Sequence, residues 1–211
     1  DKGRTLKTIL NTLDEVGYVV PEPQIVNAMF FGVPQHRERI YIVGFRKDLG
    51  LTAEDFTYPE QKEVTKKWID VREENPVPAK YYLSTTYQQT LINHKARHAA
   101  KGNGFGYDII PDDGIAHAIV VGGMGRESNL VIDFRQKDLT PTTNIKGTVN
   151  TDGWRKMTPR EWARLQGYPD NFKIVVADAS AYKQFGNSVA VPAIQATAAQ
   201  LLKSLNDKNI L

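Results

Sequence analysis

Apolar residues recur along this chain in three different rhythms, and each predicts a different kind of structure. From Thr5 to Val16 the residues Leu6, Ile9, Leu10, Leu13 and Val16 follow the i, i+3, i+4, i+7 spacing of an amphipathic helix, and Gly17 supplies its stop. Tyr18 to Asn27 reads as an extended segment interrupted by Pro21 and Pro23. Met29 to Pro34 reads as a loop, and the β-branched and aromatic run Arg39 to Arg46 predicts a strand.

The rhythm breaks between about Leu49 and Asn150. This stretch is rich in Pro, Gly, Thr, Asn and Asp and holds only short apolar runs, such as Ala118–Val121 and Leu130–Ile132. Short strands and long loops are expected, with one helix at Tyr87 to Ala100. The glycines of 102–106 superficially suggest a phosphate loop, but no strand precedes them and no helix follows, so a turn is expected. Regularity returns at Thr158-Pro159-Arg160-Glu161, where Thr at the N-cap, Pro at the first helical position and Glu at the third form a capping box. That helix runs to Gly167. A last helix spans about Val191 to Leu205, with Ile194, Ala198, Leu201, Leu202 and Leu205 on one stripe. The order is α/β, then an irregular insert, then α.

Composition narrows the chemistry more than the fold. The 211 residues contain no cysteine, which excludes disulfides, thiolate metal sites and a cysteine nucleophile within the chain; no metal site is expected. No apolar run approaches the ~20 residues needed to cross a bilayer, so no membrane partner is expected. A net charge of +3 is a poor argument for nucleic acid by itself. Its distribution says more, because Lys80 to Tyr107 lacks any acidic residue while Lys80, Lys95, Arg97 and Lys101 stand among tyrosines and histidines. Phosphate neutralisation and a plain solvated face both fit that pattern.

Three clusters carry candidate chemistry. In Gln35-His36-Arg37-Glu38-Arg39 two arginines at i, i+2 fall on one face of a strand, suited to gripping a phosphate or base edge, or to pairing with Glu38. Phe185-Gly186-Asn187-Ser188-Val189 precedes a helix, where its short polar groups suit an anion or serve as an ordinary cap. The third, Met157 to Asp170, looks structural, with Arg160 and Arg164 facing either a phosphate or water.

Together and in this order the clusters resemble a known family. Val33 to Gly44, with its Gln-x-Arg-x-Arg, resembles motif VIII of the DNA cytosine-5 methyltransferases. The Thr-Pro-Arg-Glu helix with Leu165-Gln166-Gly167-Tyr168-Pro169 resembles motif IX, and Tyr182 to Val189 with its helix resembles motif X. The irregular stretch falls where that family carries its target-recognition domain. The resemblance implies an α/β fold: the C-terminal portion of a Rossmann-like, S-adenosylmethionine-dependent methyltransferase domain, with an irregular, mostly β/loop recognition domain inserted. Residues 1–50 would complete the catalytic sheet, 51–155 form the recognition domain, and 156–211 close the recognition and cofactor regions.

By the same resemblance, Arg37 and Arg39 are catalytic, with Arg39 on the flipped cytosine, and Gln35 lies near the DNA. Asn187, Ser188 and Val189 would line the S-adenosyl-L-methionine pocket. Gly-rich 121–131 and Leu139–Asn144 look like recognition strings, which makes Arg126, Thr142, Thr143 and Asn144 candidate DNA contacts and loosely suggests a GG-CC-type site. The family's Pro-Cys loop, Glu-Asn-Val segment and Phe-x-Gly-x-Gly loop have no counterpart among these residues. The start at Asp1, without Met, suggests a fragment of a bacterial cytoplasmic restriction–modification enzyme. Its expected partners are double-stranded DNA and the N-terminal half that holds the cysteine. Apolar faces on the first and last helices would otherwise drive homodimerisation. The alternatives are a non-catalytic DNA-binding module and, with a smaller insert than this one, an RNA methyltransferase.

Overall fold

The computed structural model describes residues 3–122, 125–140 and 147–211. Helix α1 (Arg4–Glu15) forms where its stripe predicts, yet buries no residue completely: Leu6, Leu10 and Leu13 are half-buried, and Ile9 and Val16 face outward. Strands β1 (Tyr18–Val19), β2 (Gln24–Asn27), β3 (Gln35–His36), β4 (Glu38–Tyr41) and β5 (Phe45–Arg46) follow. β2 pairs antiparallel with β4, and β1 antiparallel with β5. The run expected as one strand from Arg39 to Arg46 is therefore two strands serving different partners. Its break contains Gly44, where an added Cβ would lie 3.3 Å from the Tyr18 ring. The first part of the expected Met29–Pro34 loop is a 3-10 turn, Ala28–Phe31, capped by the Asn27 carboxamide oxygen.

The insert holds α2 (Thr85–Ala99), with Ser84 as N-cap, and three short strands: β6 (Ala116–His117), β7 (Leu130–Ile132) and β8 (Trp154–Lys156). β6 pairs parallel with β3, which fastens the insert to the N-terminal strands, and β7 pairs antiparallel with β8. The chain closes with α3 (Pro159–Leu165), α4 (Asp178–Asn187) and α5 (Val191–Asp207). No helix is expected from the sequence at α4, and Gly186 near its end reads as a turn. In the structure it is helical, and it is glycine because a Cβ there would meet Val121 Cγ2 at 2.8 Å.

Two cores result. In one, Trp68, Ile119 and Val131 of the insert pack against Trp162 and Leu165 of α3 and Phe185 of α4. In the other, Val26, Val43 and Phe45 join Leu51, Phe56 and Tyr58 against Ala190 and Ala193 at the start of α5. Among the described residues no helix is long and apolar enough to cross a membrane.

A buried ionic network holds the insert to α3. Arg155 on β8 has no solvent exposure; its Nε donates to Asp133 at 3.0 Å, and its two terminal nitrogens donate to the Glu161 carboxylate at 2.8 Å each. Glu161 is also the capping-box residue of α3, accepting from Thr158 N at 2.7 Å. Buried charge is tolerated here because each carboxylate is paired and hydrogen-bonded. Burial alone would raise the Asp133 pKa, but hydrogen bonds from Arg135 and the charge of Arg155 hold it well below the carboxylate range.

Two outcomes follow from this packing. Gly167 ends α3 at φ +79°, and a Cβ there would strike Pro192 Cδ and sit 3.3 Å from Val33. Gly167→Ala combines a left-handed backbone with overpacking and should cost about 3 kcal/mol in urea unfolding. The depressed folded-state pKa of Asp133 contributes stability that is complete above pH ~5 and is lost progressively as pH falls below that. Asp133→Asn should therefore start less stable at neutral pH, and its urea midpoint should fall less steeply than the parent's on acidification below pH ~5.

Candidate functional site

The loop from Asn27 to Glu38 brings the candidate residues together, and the structure divides them sharply. Gln35 is fully enclosed: its Nε2 donates to Leu165 O at 2.8 Å and to Gln166 Oε1 at 3.3 Å, while its Oε1 accepts from Ile119 N at 3.0 Å. It presents no surface to a duplex, so the expectation of a DNA contact at Gln35 is corrected. An amide carrying both donor and acceptor can bridge α3 to the insert backbone, and that is how Gln35 is used.

Arg37 is likewise internal, with 5% exposure. Its Nη1 donates to Ile119 O at 2.7 Å, and its Nη2 donates to Gly186 O at 3.1 Å and Ser188 O at 2.8 Å. The last carbonyls of a helix have no intrahelical partner and carry the negative end of its dipole. Arg37 satisfies them at the end of α4, and Gln166 adds bonds to Phe185 O at 2.8 Å and Ser188 O at 3.2 Å. Burial, then the neighbouring Arg39, lowers the Arg37 pKa to about 10, which leaves it charged at neutral pH. Both Nη groups are bonded to backbone carbonyls, and the buried Nε has no hydrogen-bond partner. The two arginines do not share one environment: Arg37 turns inward, while Arg39 on β4 is exposed.

Arg39 donates only to Glu38 O, at 2.6 Å, and has no carboxylate within salt-bridge distance among the described residues. Asn27 fixes the loop between the two strands, its Oδ1 accepting from Arg37 N at 3.1 Å and Met29 N at 3.3 Å. Sequence reasoning missed it; a buried Asn opposite Glu38 in the β2–β4 register leaves no periodic signal.

The motif at 185–189 is the end of α4 and its exit. Asn187 and Val189 are exposed, while Ser188 is half-buried with its hydroxyl donating to Phe185 O at 2.9 Å. The guanidinium-bound carbonyls lie on the inner side of this turn, and Asn187 and Val189 remain on the outside. Arg160 and Arg164 are committed internally: Arg160 to Phe172 O, and Arg164 to both carboxylate oxygens of Asp170. Of the basic stretch, Lys80 pairs with Asp178 at 2.7 Å and Lys95 lies 4.7 Å over the Tyr107 ring, while Arg97 and Lys101 stay exposed. Arg126 is exposed, its guanidinium 5.4 Å from the Tyr182 ring centre. Thr142, Thr143 and Asn144 lie outside the described residues.

The fold resembles solved methyltransferases. Schizosaccharomyces pombe Dnmt2 superposes with a TM-score of 0.66 at 19% identity, over 97% of this chain and 64% of that one. Entamoeba histolytica EhMeth does so at 0.64 and 21%, over 97% of this chain and 58% of that one. The chain thus shares its mixed α/β fold with these two proteins. Residues 1–203 match the family described as C-5 cytosine-specific DNA methylase, and the chain belongs to that family. It is 69% identical to the type II methyltransferase M.HpaII of Haemophilus parainfluenzae over 98% of its length and 58% of the relative's. With M.SsoII of Shigella sonnei the identity is 40%, over 98% of this chain and 50% of the relative. The chain therefore spans between half and three-fifths of the length of these relatives.

Removing the Arg37 cation would take the side-chain donor from two buried carbonyls, Ile119 O and Gly186 O, while Ser188 O would keep its bond from Gln166. Arg37→Met should cost roughly 3 kcal/mol or more in denaturant unfolding, at about 1–3 kcal/mol for each orphaned group. Arg37→Lys, a single-point donor, should recover only part of that loss.

Proposed function

We propose that this chain is the recognition-bearing part of a restriction–modification DNA (cytosine-5) methyltransferase, which transfers a methyl group from S-adenosylmethionine to a flipped cytosine in duplex DNA. The observation that carries the reading is the contrast within Gln35-Arg37-Arg39. Two members are locked into the interior, and the third, Arg39, is held at the surface of a paired strand with its charge uncommitted. A cation so positioned suits the electronegative edge of an extruded cytosine or its phosphate, and extrusion is required because the reacting carbon is buried in the base stack.

The cofactor fits one edge of the chain. Asn187 offers an exposed amide and Val189 an exposed apolar side chain just before α5. These would hold S-adenosylmethionine from one side, and the cofactor would supply an electrophilic methyl group. The nucleophilic cysteine and the glycine-rich loop would come from outside these 211 residues, none of which is cysteine. Residues 51–155 are read as the recognition domain. The remainder of the enzyme would cover the apolar side chains exposed on α1 (Ile9, Val16), on the β2–β4 pair (Ile25, Ile40) and on α5 (Ile194, Leu202). Left uncovered, those faces favour self-association of the isolated chain.

The test is methyl incorporation into duplex DNA from tritiated S-adenosylmethionine. The chain alone should give none, and mixing it with the complementary half that carries the Pro-Cys loop should restore transfer. In the restored enzyme Arg39→Ala should lower turnover about 10²-fold or more. Its stability should stay within about 0.5 kcal/mol of the parent's, because the side chain is exposed. Robust transfer by the chain alone, or full activity of Arg39→Ala, would sink the assignment.

A further inference from the structure

We propose that Arg126 and Lys183 together form a binding site for one backbone phosphodiester of duplex DNA. This rests on the DNA-methyltransferase reading above and adds a site and a chemical role that the sequence motifs do not specify. The two cations stand at the mouth of a cavity of about 140 Å³ whose other lining includes Val120, Val121, Trp162 and Tyr182. Its aromatic part is fixed. The Tyr182 ring meets Trp162 edge-on at 4.8 Å, and its hydroxyl donates to Met157 O at 2.5 Å, so α3 and α4 hold it from two sides. Gly186 lets the Val121 wall approach α4 with no Cβ between them.

Arg126 uses that ring as a platform, 5.4 Å from its centre, which orders a long side chain before any ligand arrives. The acidic groups nearby in sequence are already neutralised. Glu127, next to Arg126, is buried against Lys156 at 2.9 Å and the Tyr87 hydroxyl at 2.9 Å. Asp178, one turn before Tyr182 on α4, accepts from Lys80 at 2.7 Å and from the Tyr81 hydroxyl at 2.9 Å. Among the described residues no carboxylate comes within salt-bridge distance of Arg126 or Lys183. The mouth therefore carries two uncompensated positive charges beside a preorganised aromatic surface.

That arrangement discriminates between a base and a phosphate. Reading a guanine edge needs one bidentate arginine and gives the lysine nothing to do. A phosphodiester takes a fork of donors and a point charge together, and such contacts set register without reading sequence. The site therefore assigns Arg126 to positioning the duplex, not to specifying the base.

The experiment measures fluorescence anisotropy of labelled duplexes binding to the full-length enzyme that carries this chain, between roughly 50 and 200 mM salt. Two duplex sets are used: a random-sequence pool, and sequences enriched from it by the parent enzyme. The double variant R126A/K183A should bind both sets more weakly by a similar factor. Its slope of log affinity against log salt should be shallower by about 0.9, the counterion release of one phosphate contact. The charge-preserving R126K/K183R should keep the parent slope, and unchanged thermal unfolding should show that both variants fold. An unchanged slope with the loss confined to enriched duplexes would make Arg126 a base reader and overturn the proposal while leaving DNA binding intact. Unchanged binding to both sets would overturn it equally. A parent enzyme that binds neither set would overturn the functional reading itself, and this site with it.

Discussion

A single guanidinium at the end of a helix organises much of this chain. The carbonyls of Gly186 and Ser188 point inward where α4 ends, away from water and at the negative pole of the helix. Left alone they would each cost a desolvation penalty; bound by Arg37 they become the anchor for three separate stretches of sequence. The third stretch is the insert, reached through Ile119 O. Gln35 repeats the pattern two residues earlier, binding the amide of that same Ile119 and the end of α3. Ile119 is thus gripped through both its N–H and its C=O, and the path of Val120 and Val121 beyond it is set by that grip. The cavity mouth at Arg126 and the exposed strand bearing Arg39 both depend on it.

A second buried arginine does comparable work elsewhere. Arg155 joins Asp133 and Glu161, and Glu161 also caps α3, so one carboxylate ends a helix and ties it to β8. The two networks meet on α3, whose first residues belong to the Arg155 group and whose last belong to Gln35 and Gln166. A short helix held at both ends in this way gives the insert a fixed seat. Arginine suits both positions because its planar fork can satisfy several acceptors at once and remains charged when buried.

Helices with strong periodicity or capping chemistry were legible in the sequence: α1, α3 and α5 form where Leu6–Val16, Thr158–Glu161 and Val191–Leu205 place them. The α4 helix was not, and the close approach of Val121 that requires glycine at 186 is visible only in the structure. The strand at Arg39–Arg46 was legible in type but not in partner, because pairing with both β1 and β2 is a tertiary choice. The motifs pointed to Arg37 and Arg39 alike, but the structure gives the two arginines different environments. Alternation along a strand predicted one shared face for Arg37 and Arg39, whereas Arg37 precedes β4 and answers to carbonyls 82 to 151 residues away. Nothing local encodes such partners. Lys183 escaped for the opposite reason: it is an ordinary exposed helix residue until Arg126 is placed opposite it.

Exposed and buried arginine therefore divide the labour in a way that residue type alone conceals. A buried guanidinium with several backbone acceptors is built into the fold, and its loss is felt as instability. An exposed one with a single local bond, such as Arg39, adds little to the fold and keeps its donors available. The separation also has a geometric consequence. Because Gln35 and Arg37 fix the backbone on the N-terminal side of Arg39, and β2 pairing fixes the strand that carries it, the free cation is mounted on a stiff support. Stiff mounting is what electrostatic stabilisation of a reacting group requires, since a charge already in place need not be reorganised when the ligand arrives. Under the proposed function the interior polar network would set the position of Arg39, and the surface cation would supply the charge.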